Sequence, residues 1–254
     1  MNENEKYFVT IGIRDLSYPI NIGVKSRAEG VSTITNLTIQ AEIEKQYETQ
    51  VEEQIFNIIN DRSNYIGPNQ LSKLLMNYLK SLNANKLIIN FKYPFFLEKT
   101  SPVSKQKQLM KYHCEFSVKK NIYREYKKQY KIEIPVVVEQ FLVPGIQKDF
   151  LELPVKIVVE TEGIETFFAE DIIQLIERNI LDSNFINSHN ENGDNVKLLL
   201  IENIKNELFE KYNVEKCSVK VVNQKMLYSY SVQVSTETEQ LKPEAEIEKE
   251  FLFI

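Results

Sequence analysis

The sequence predicts an α+β fold made of two similar halves, each a four-stranded antiparallel sheet with two helices on one face. Three observations predict it. Apolar residues alternate with period two in eight regions of the chain, the pattern of a strand with one buried face. Four other regions carry apolar residues spaced three and four apart, the stripe of an amphipathic helix. The regions follow one another as strand, strand, helix, helix, strand, strand, and that order occurs twice.

In the first half, Val9 to Ile13 and Tyr18 to Val24 alternate, and Leu37, Ile39, Ala41 and Ile43 share one face of a strand over 35–43. A helix is predicted over 51–60. A second follows the Gly67-Pro68 breaker, through the stripe Leu71, Leu74, Leu75, Tyr78, Leu79 and Leu82. Two strands complete this half. One spans 86–93, with Leu87, Ile89, Phe91 and Tyr93 together, and the other spans 109–118, with Met110, Tyr112, Cys114, Phe116 and Val118 together.

The second half opens with Ile132 to Leu142, alternating through Ile134, Val136 and Val138, and Leu153 to Val159, alternating through Val155 and Ile157. A helix follows on Phe168, Ile172, Leu175 and Ile176. After a polar break over 187–193, a second helix runs from Asp194 to Tyr212 through Val196, Leu199, Leu200, Ile204 and Leu208. Strands over 216–222 and 226–234 close the pattern. The expected units are therefore 1–122 and 123–236, followed by an acidic tail, 237–254, that ends in Phe251-Leu252-Phe253-Ile254. Most of that tail reads as a flexible linker with an apolar end able to dock in a groove or on a sheet edge. Outer strands seek partners in the other half or another subunit, so the chain is expected to oligomerise.

At 254 residues and 43% hydrophobic content the chain has enough apolar surface for a core. A net charge of −5 argues against a general nucleic-acid binder. The one basic run, Lys119, Lys120, Arg124, Lys127, Lys128 and Lys131 interleaved with Tyr123, Tyr126 and Tyr130, reads as a solvated loop and strand edge. No apolar run reaches the roughly 20 residues of a membrane helix, and the N-terminal MNENEKYF lacks the marks of a signal peptide. A cytoplasmic location with no membrane partner is the expectation. Cys114 and Cys217 both fall on apolar strand faces and read as buried small hydrophobes.

One segment carries a more specific signal. Tyr93 to Cys114 contains Phe95-Phe96-Leu97-Glu98-Lys99, then Pro102-Val103-Ser104, Lys107, Leu109-Met110 and Tyr112. Upstream stands Ile11-Gly12-Ile13-Arg14-Asp15-Leu16-Ser17-Tyr18-Pro19-Ile20, and downstream Glu170-Asp171-Ile172 with Leu175-Ile176-Glu177. Together these resemble the type IB GTP cyclohydrolases, members of the tunnelling-fold superfamily, over most of residues 9–236. The resemblance implies tandem tunnelling-fold units assembled as a homotetramer, with pockets at subunit interfaces. It also implies the entry step of folate and pterin synthesis, GTP to dihydroneopterin triphosphate. That chemistry uses water activated by a divalent metal such as zinc, iron or manganese, held by a cysteine, histidines and a glutamate.

The matching positions lack most of those ligands. Where the family has Cys-Pro-Cys, the strand 134–138 runs into Glu139-Gln140-Phe141-Leu142-Val143-Pro144-Gly145, and the following Ile146 to Phe150 holds no histidine. Where the family has Glu-Ser-Ile-His-Asn-His, this chain has Lys225-Met226-Leu227-Tyr228-Ser229-Tyr230. The family's Thr-His-Met-Ser-Arg is matched only by Thr49-Gln50-Val51-Glu52-Glu53. The chain contains two histidines, His113 on the polar face of its strand opposite Cys114, and His189 in an Asn-rich loop. No cofactor is expected, and neither a metal ligand nor a catalytic residue is assigned.

The pocket candidates are Glu98, Lys99, Ser104, Lys107, Glu177, Lys225, Tyr228 and Tyr230. Lys99 and Lys107 suit an anionic ligand with Glu98 placing them, but the favoured expectation is an irregular connection, stiffened by Pro94 and Pro102, kept for folding and assembly. Glu177 reads as a glutamate on a solvent-facing helix surface ahead of a retained metal-side carboxylate. Tyr228 and Tyr230 share a strand face with Met226 and either fill a vacated site or stack on a flat ligand. The expected function is that of a divergent relative that has lost the metal-dependent reaction and acts by binding or assembly, as a homo-oligomer or beside an active relative. A metal-independent enzyme acting on a purine, a pterin or another small planar substrate is the alternative, and an active GTP cyclohydrolase comes third.

Overall fold

The computed structural model describes residues 7–25, 27–60, 71–100, 105–136, 155–163, 168–181, 193–212, 214–224 and 229–237. The Gly67-Pro68 break, the far end of the strand expected over 132–142 and the tail beyond 237 lie outside them. In chain order the elements are β1 (Phe8–Val24), β2 (Arg27–Glu44), a 3-10 turn (Lys45–Tyr47), α1 (Glu48–Asn60) and α2 (Leu71–Ser81). They continue with β3 (Ala84–Thr100), β4 (Lys107–Asn121), β5 (Arg124–Val136) and β6 (Val155–Gly163). The last are α3 (Ala169–Leu181), α4 (Gly193–Lys211), β7 (Val214–Gln224) and β8 (Ser229–Glu237). Strand order in the sheet follows chain order, and the β1–β2, β2–β3, β6–β7 and β7–β8 pairs are antiparallel. The fold is thus α+β with an antiparallel sheet, and its elements run strand, strand, helix, helix, strand, strand twice over.

Compactness divides the chain differently from element order. One unit is 1–94 with 115–130, and the other is 95–114 with 131–254. The strands β3, β4 and β5 each contribute to both.

In the first unit β1 and β2 form a long hairpin paired from Phe8↔Glu44 to Val24↔Arg27. The two alternating stretches expected in β1 are one strand, interrupted by a bulge between Ile13 and Leu16. There Asp15 takes φ 53° and its backbone N–H donates to Thr38 Oγ1 at 3.2 Å. Gly12 precedes the bulge at a place where a Cβ would lie 1.9 Å from the Ile39 carbonyl oxygen, so no other residue fits without moving backbone. Leu37, Ile39, Ala41 and Ile43 of β2 and Leu87, Ile89 and Phe91 of β3 are buried, as their alternation predicts. Val51, Ile55 and Ile58 of α1 and Leu75, Tyr78 and Leu79 of α2 are buried as well, at helical spacing. Each such Val, Leu, Ile or Phe side chain contributes roughly 1.5–3 kcal/mol on leaving water. The Tyr18 hydroxyl donates to the Ile59 carbonyl at 3.1 Å and ties β1 to the end of α1.

The basic run, expected as a solvated loop and strand edge, is mostly strand: β4 continues to Asn121 and β5 starts at Arg124, leaving only a short turn between them. Alternation extends into it, with Tyr130 and Ile132 buried, and the Lys128 ammonium lies 5.5 Å from the centroid of the Tyr126 ring. Tyr123, at the turn, is exposed, and its N–H donates to Asn121 Oδ1 at 2.9 Å.

In the second unit β6 pairs with β7 from Val155↔Asn223 to Gly163↔Val214, and β7 with β8 from Lys216↔Glu237 to Gln224↔Ser229. Ile157, Val159, Val219 and Val221 are buried on these strands. Helix α3 buries Ile172, Ile173, Leu175, Ile176 and Ile180, and α4 buries Leu200, Ile201, Ile204 and Leu208. The helices are joined through Glu207 of α4. It accepts from Asn179 Nδ2 at 2.8 Å and Lys211 Nζ at 2.6 Å, and it also pairs with Arg178. No helix among the described residues is long and apolar enough to cross a membrane.

Candidate functional site

The connection expected between strands 86–93 and 109–118 is mostly strand. β3 runs through Pro94 to Thr100 and β4 starts at Lys107, so Glu98, Lys99 and Lys107 sit on regular elements instead of an irregular linker. The β2–β3 ladder ends at Asn36↔Lys92, so the missing N–H of Pro94 breaks no bond of that ladder. Its carbonyl still accepts from Thr33 Oγ1 at 3.2 Å.

Because successive strand residues face opposite ways, Glu98 and Lys99 have different partners. Glu98 Oε1 accepts from Lys107 Nζ at 2.7 Å in an exposed pair, and the carboxylate raises the Lys107 pKa through the hydrogen bond and its charge. Lys99 Nζ donates to Glu177 Oε2, also at 2.7 Å, with the two side chains 29% and 17% exposed. The other oxygen, Oε1, accepts from the Tyr112 hydroxyl at 3.4 Å. Tyr112 is buried on β4 beside Phe95, ring centroids 6.5 Å apart and tilted by 48°. Burial, with the Glu177 charge and hydrogen bond adding to it, drives the Tyr112 pKa well above the ordinary phenol range, so the group stays protonated and donates.

Glu177 corrects the sequence expectation. It follows Ile176 and lies four residues after Ile173, both buried, which puts it at the border of the apolar face of α3 and not on a solvent-facing surface. The structure therefore brings Lys99, Glu177 and Tyr112 together, and it holds Glu98 and Lys107 in a separate pair. Tyr230 lies on β8 opposite Asn223. Ser104, Lys225, Tyr228 and His189 lie outside the described residues. Tyr112 was missed as a site residue, since alternation announces its burial but not the partner of its hydroxyl.

Positions 139–150 and 225–228, where the resemblance places most of the metal ligands, lie outside the described residues, and within the described residues ligand-type side chains do not converge. His113 is exposed and Cys114, its neighbour on β4, is buried, so the two point away from each other. Burial pushes the Cys217 thiol up to about 12, against a smaller downward pull from Lys205. Glu177 has both oxygens engaged, one by an ammonium. Among the described residues no three of His, Cys, Asp and Glu gather as a metal-holding group.

Comparison with known proteins bears on family and on fold. A family model described as type I GTP cyclohydrolase FolE2 matches residues 3–140. The GTP cyclohydrolase FolE2 of Fervidobacterium nodosum is 28% identical over 115 residues, 45% of this chain and 44% of that protein. That of Citrifermentans bemidjiense is 29% identical over 107 residues, 42% of this chain and 40% of the relative. Thermosipho africanus has a GTP cyclohydrolase FolE2 that is 26% identical over 174 residues, 66% of this chain and 64% of its own length. The chain thus spans less than half the length of the first two relatives. Among solved structures, uricase from Arthrobacter globiformis matches with a TM-score of 0.51 at 7% identity, covering 95% of this chain and 97% of the uricase. A hyper-thermostable AgUricase mutant matches with a TM-score of 0.50 at 8% identity, covering 92% and 93%. At such identities the likeness concerns the fold alone, which is of the tunnelling, uricase-like type.

Proposed function

Since the chain belongs to the type I GTP cyclohydrolase FolE2 family, we propose that it is a member that has lost the metal-dependent conversion of GTP to dihydroneopterin triphosphate and acts by binding or assembly. The observation that carries this reading is the dispersal of ligand-type side chains among the described residues. His113 and Cys114 occupy opposite faces of one strand, and Cys217 is a buried thiol. Activating water at neutral pH needs several such donors converging on one ion with a coordination position open. The sequence adds Lys225, Tyr228 and Tyr230 where the family carries a glutamate and two histidines. The twice-repeated element order supports reading 1–122 and 123–236 as tandem tunnelling-fold units, with 237–254 as a tail. Assembly follows as a homo-oligomer, a tetramer, or a hetero-oligomer with an active relative.

Metal analysis and a GTP turnover assay test the reading together. The purified protein is expected to hold no stoichiometric zinc, iron or manganese and to form no pterin from GTP when those metals are supplied. Tightly bound metal with pterin formation would overturn the proposal. A purine or pterin that raises the melting temperature, with Tyr230→Ala abolishing the rise, would instead favour a metal-independent site for a planar ligand. Light scattering after size-exclusion chromatography tests the oligomer, and a monomer would remove assembly from the reading.

A further inference from the structure

With the metal chemistry taken as lost, we propose that Lys99 is a resident counter-cation for Glu177. It supplies the countercharge of this carboxylate from within the chain and occupies the oxygen that a metal ion would need, so the junction between β3, β4 and α3 does not depend on metal. The Lys99 ammonium lies 2.7 Å from Oε2 and the Tyr112 hydroxyl 3.4 Å from Oε1, so both oxygens have a donor supplied by the chain. A carboxylate this far out of water needs a countercharge, because an unpaired buried charge is strongly unfavourable. An ammonium and a divalent ion cannot share it cheaply, since two positive charges at one carboxylate repel. The arrangement is a complete local charge balance: ammonium, carboxylate and neutral phenol, all within one compact unit.

Thermal melts in a chelator and in millimolar manganese(II) test this with the full chain. The wild type is expected to melt at the same temperature in both. Lys99→Met should melt lower by about 5 °C or more, since it leaves Glu177 without its partner. The double variant Lys99→Met with Glu177→Gln should be less destabilised than Lys99→Met and indifferent to manganese. Two results would overturn the assignment: a manganese-induced rise in the wild type that Glu177→Gln removes, or a Lys99→Met protein that melts with the wild type. Should Lys99→Met not fold, Lys99→Arg decides. It keeps the charge and is expected to melt near the wild type and ignore manganese, and a gain from manganese would overturn the assignment. GTP turnover by metal-supplied wild type, without any shift dependent on Glu177, would sink the functional reading and leave Lys99 as the counter-cation.

Discussion

Glu98 and Lys99 are neighbours on one strand, and each makes an ion pair of the same length, 2.7 Å, yet the two pairs are not equivalent. Glu98 and Lys107 are 61% and 71% exposed, whereas Lys99 and Glu177 are 29% and 17% exposed. Water and dissolved salt screen the first and compete for both of its charges. The second sits at the edge of a core, where loss of one partner strands the other. The Lys99 pair also joins residues 78 positions apart, while the Lys107 pair joins residues 9 apart within one hairpin. Distance alone does not rank them. Burial and chain separation do.

The sharpest way to break the contrast is to remove the wall of the buried pair. Tyr112→Ala deletes a ring buried against Phe95 and a donor to Glu177, and it is expected to cost about 3–5 kcal/mol in urea unfolding. Tyr112→Phe keeps the ring and should cost only about 1 kcal/mol, which separates packing from the hydrogen bond.

Next in size comes the pH dependence of the second anchor of α3. Burial raises the Glu207 pKa, but hydrogen bonds from Lys211 and Asn179 and the charges of Arg178 and Lys211 outweigh it and hold the carboxyl below its ordinary 4.5. A depressed carboxylate stabilises the fold above its unfolded pKa and loses that contribution as pH falls through the folded value. Stability should therefore decline from pH 4.5 downward, and Glu207→Gln should flatten that part of the curve. An unchanged curve in the variant would show that Glu207 is not responsible.

A smaller effect is spectroscopic. Of the 13 tyrosines, Tyr112 should remain protonated in an alkaline titration until the protein unfolds, and Tyr112→Phe should remove that late component from the absorbance change. The smallest effect belongs to the exposed pair. Lys107→Gln should leave the melting temperature unchanged within error at physiological salt. A clear loss would mean the exposed and half-buried pairs differ less than their burial indicates.

Much of the fold was legible in the sequence. Leu37 to Ile43 and Tyr112 to Val118 alternate without interruption, and that pattern fixes which face is buried whatever the rest of the chain does. Strand ends were less legible. Phe95 continues the buried face past Pro94, but a proline reads as punctuation until the hydrogen-bond ladder is known to stop at Lys92. The basic run was legible only in part for a related reason: the adjacent lysines at 119 and 120 and at 127 and 128 mask the alternation by which Tyr130 and Ile132 turn inward. The candidate site was legible only as a set of residues. Tyr112 and Glu177 are 65 positions apart, and nothing local to Gln174-Leu175-Ile176-Glu177 announces that a tyrosine and a lysine from a distant hairpin will meet it.

The alternation of Glu98 and Lys99 has a consequence for how β3 finds its register. If the strand slipped by one residue, Glu98 would stand where Lys99 stands and would face Glu177, turning an attraction at 2.7 Å into the meeting of two carboxylates. Opposite charges on adjacent residues thus act as a parity check on the strand in that direction, and a slip the other way, which brings Thr100 to the same spot, forfeits the attraction.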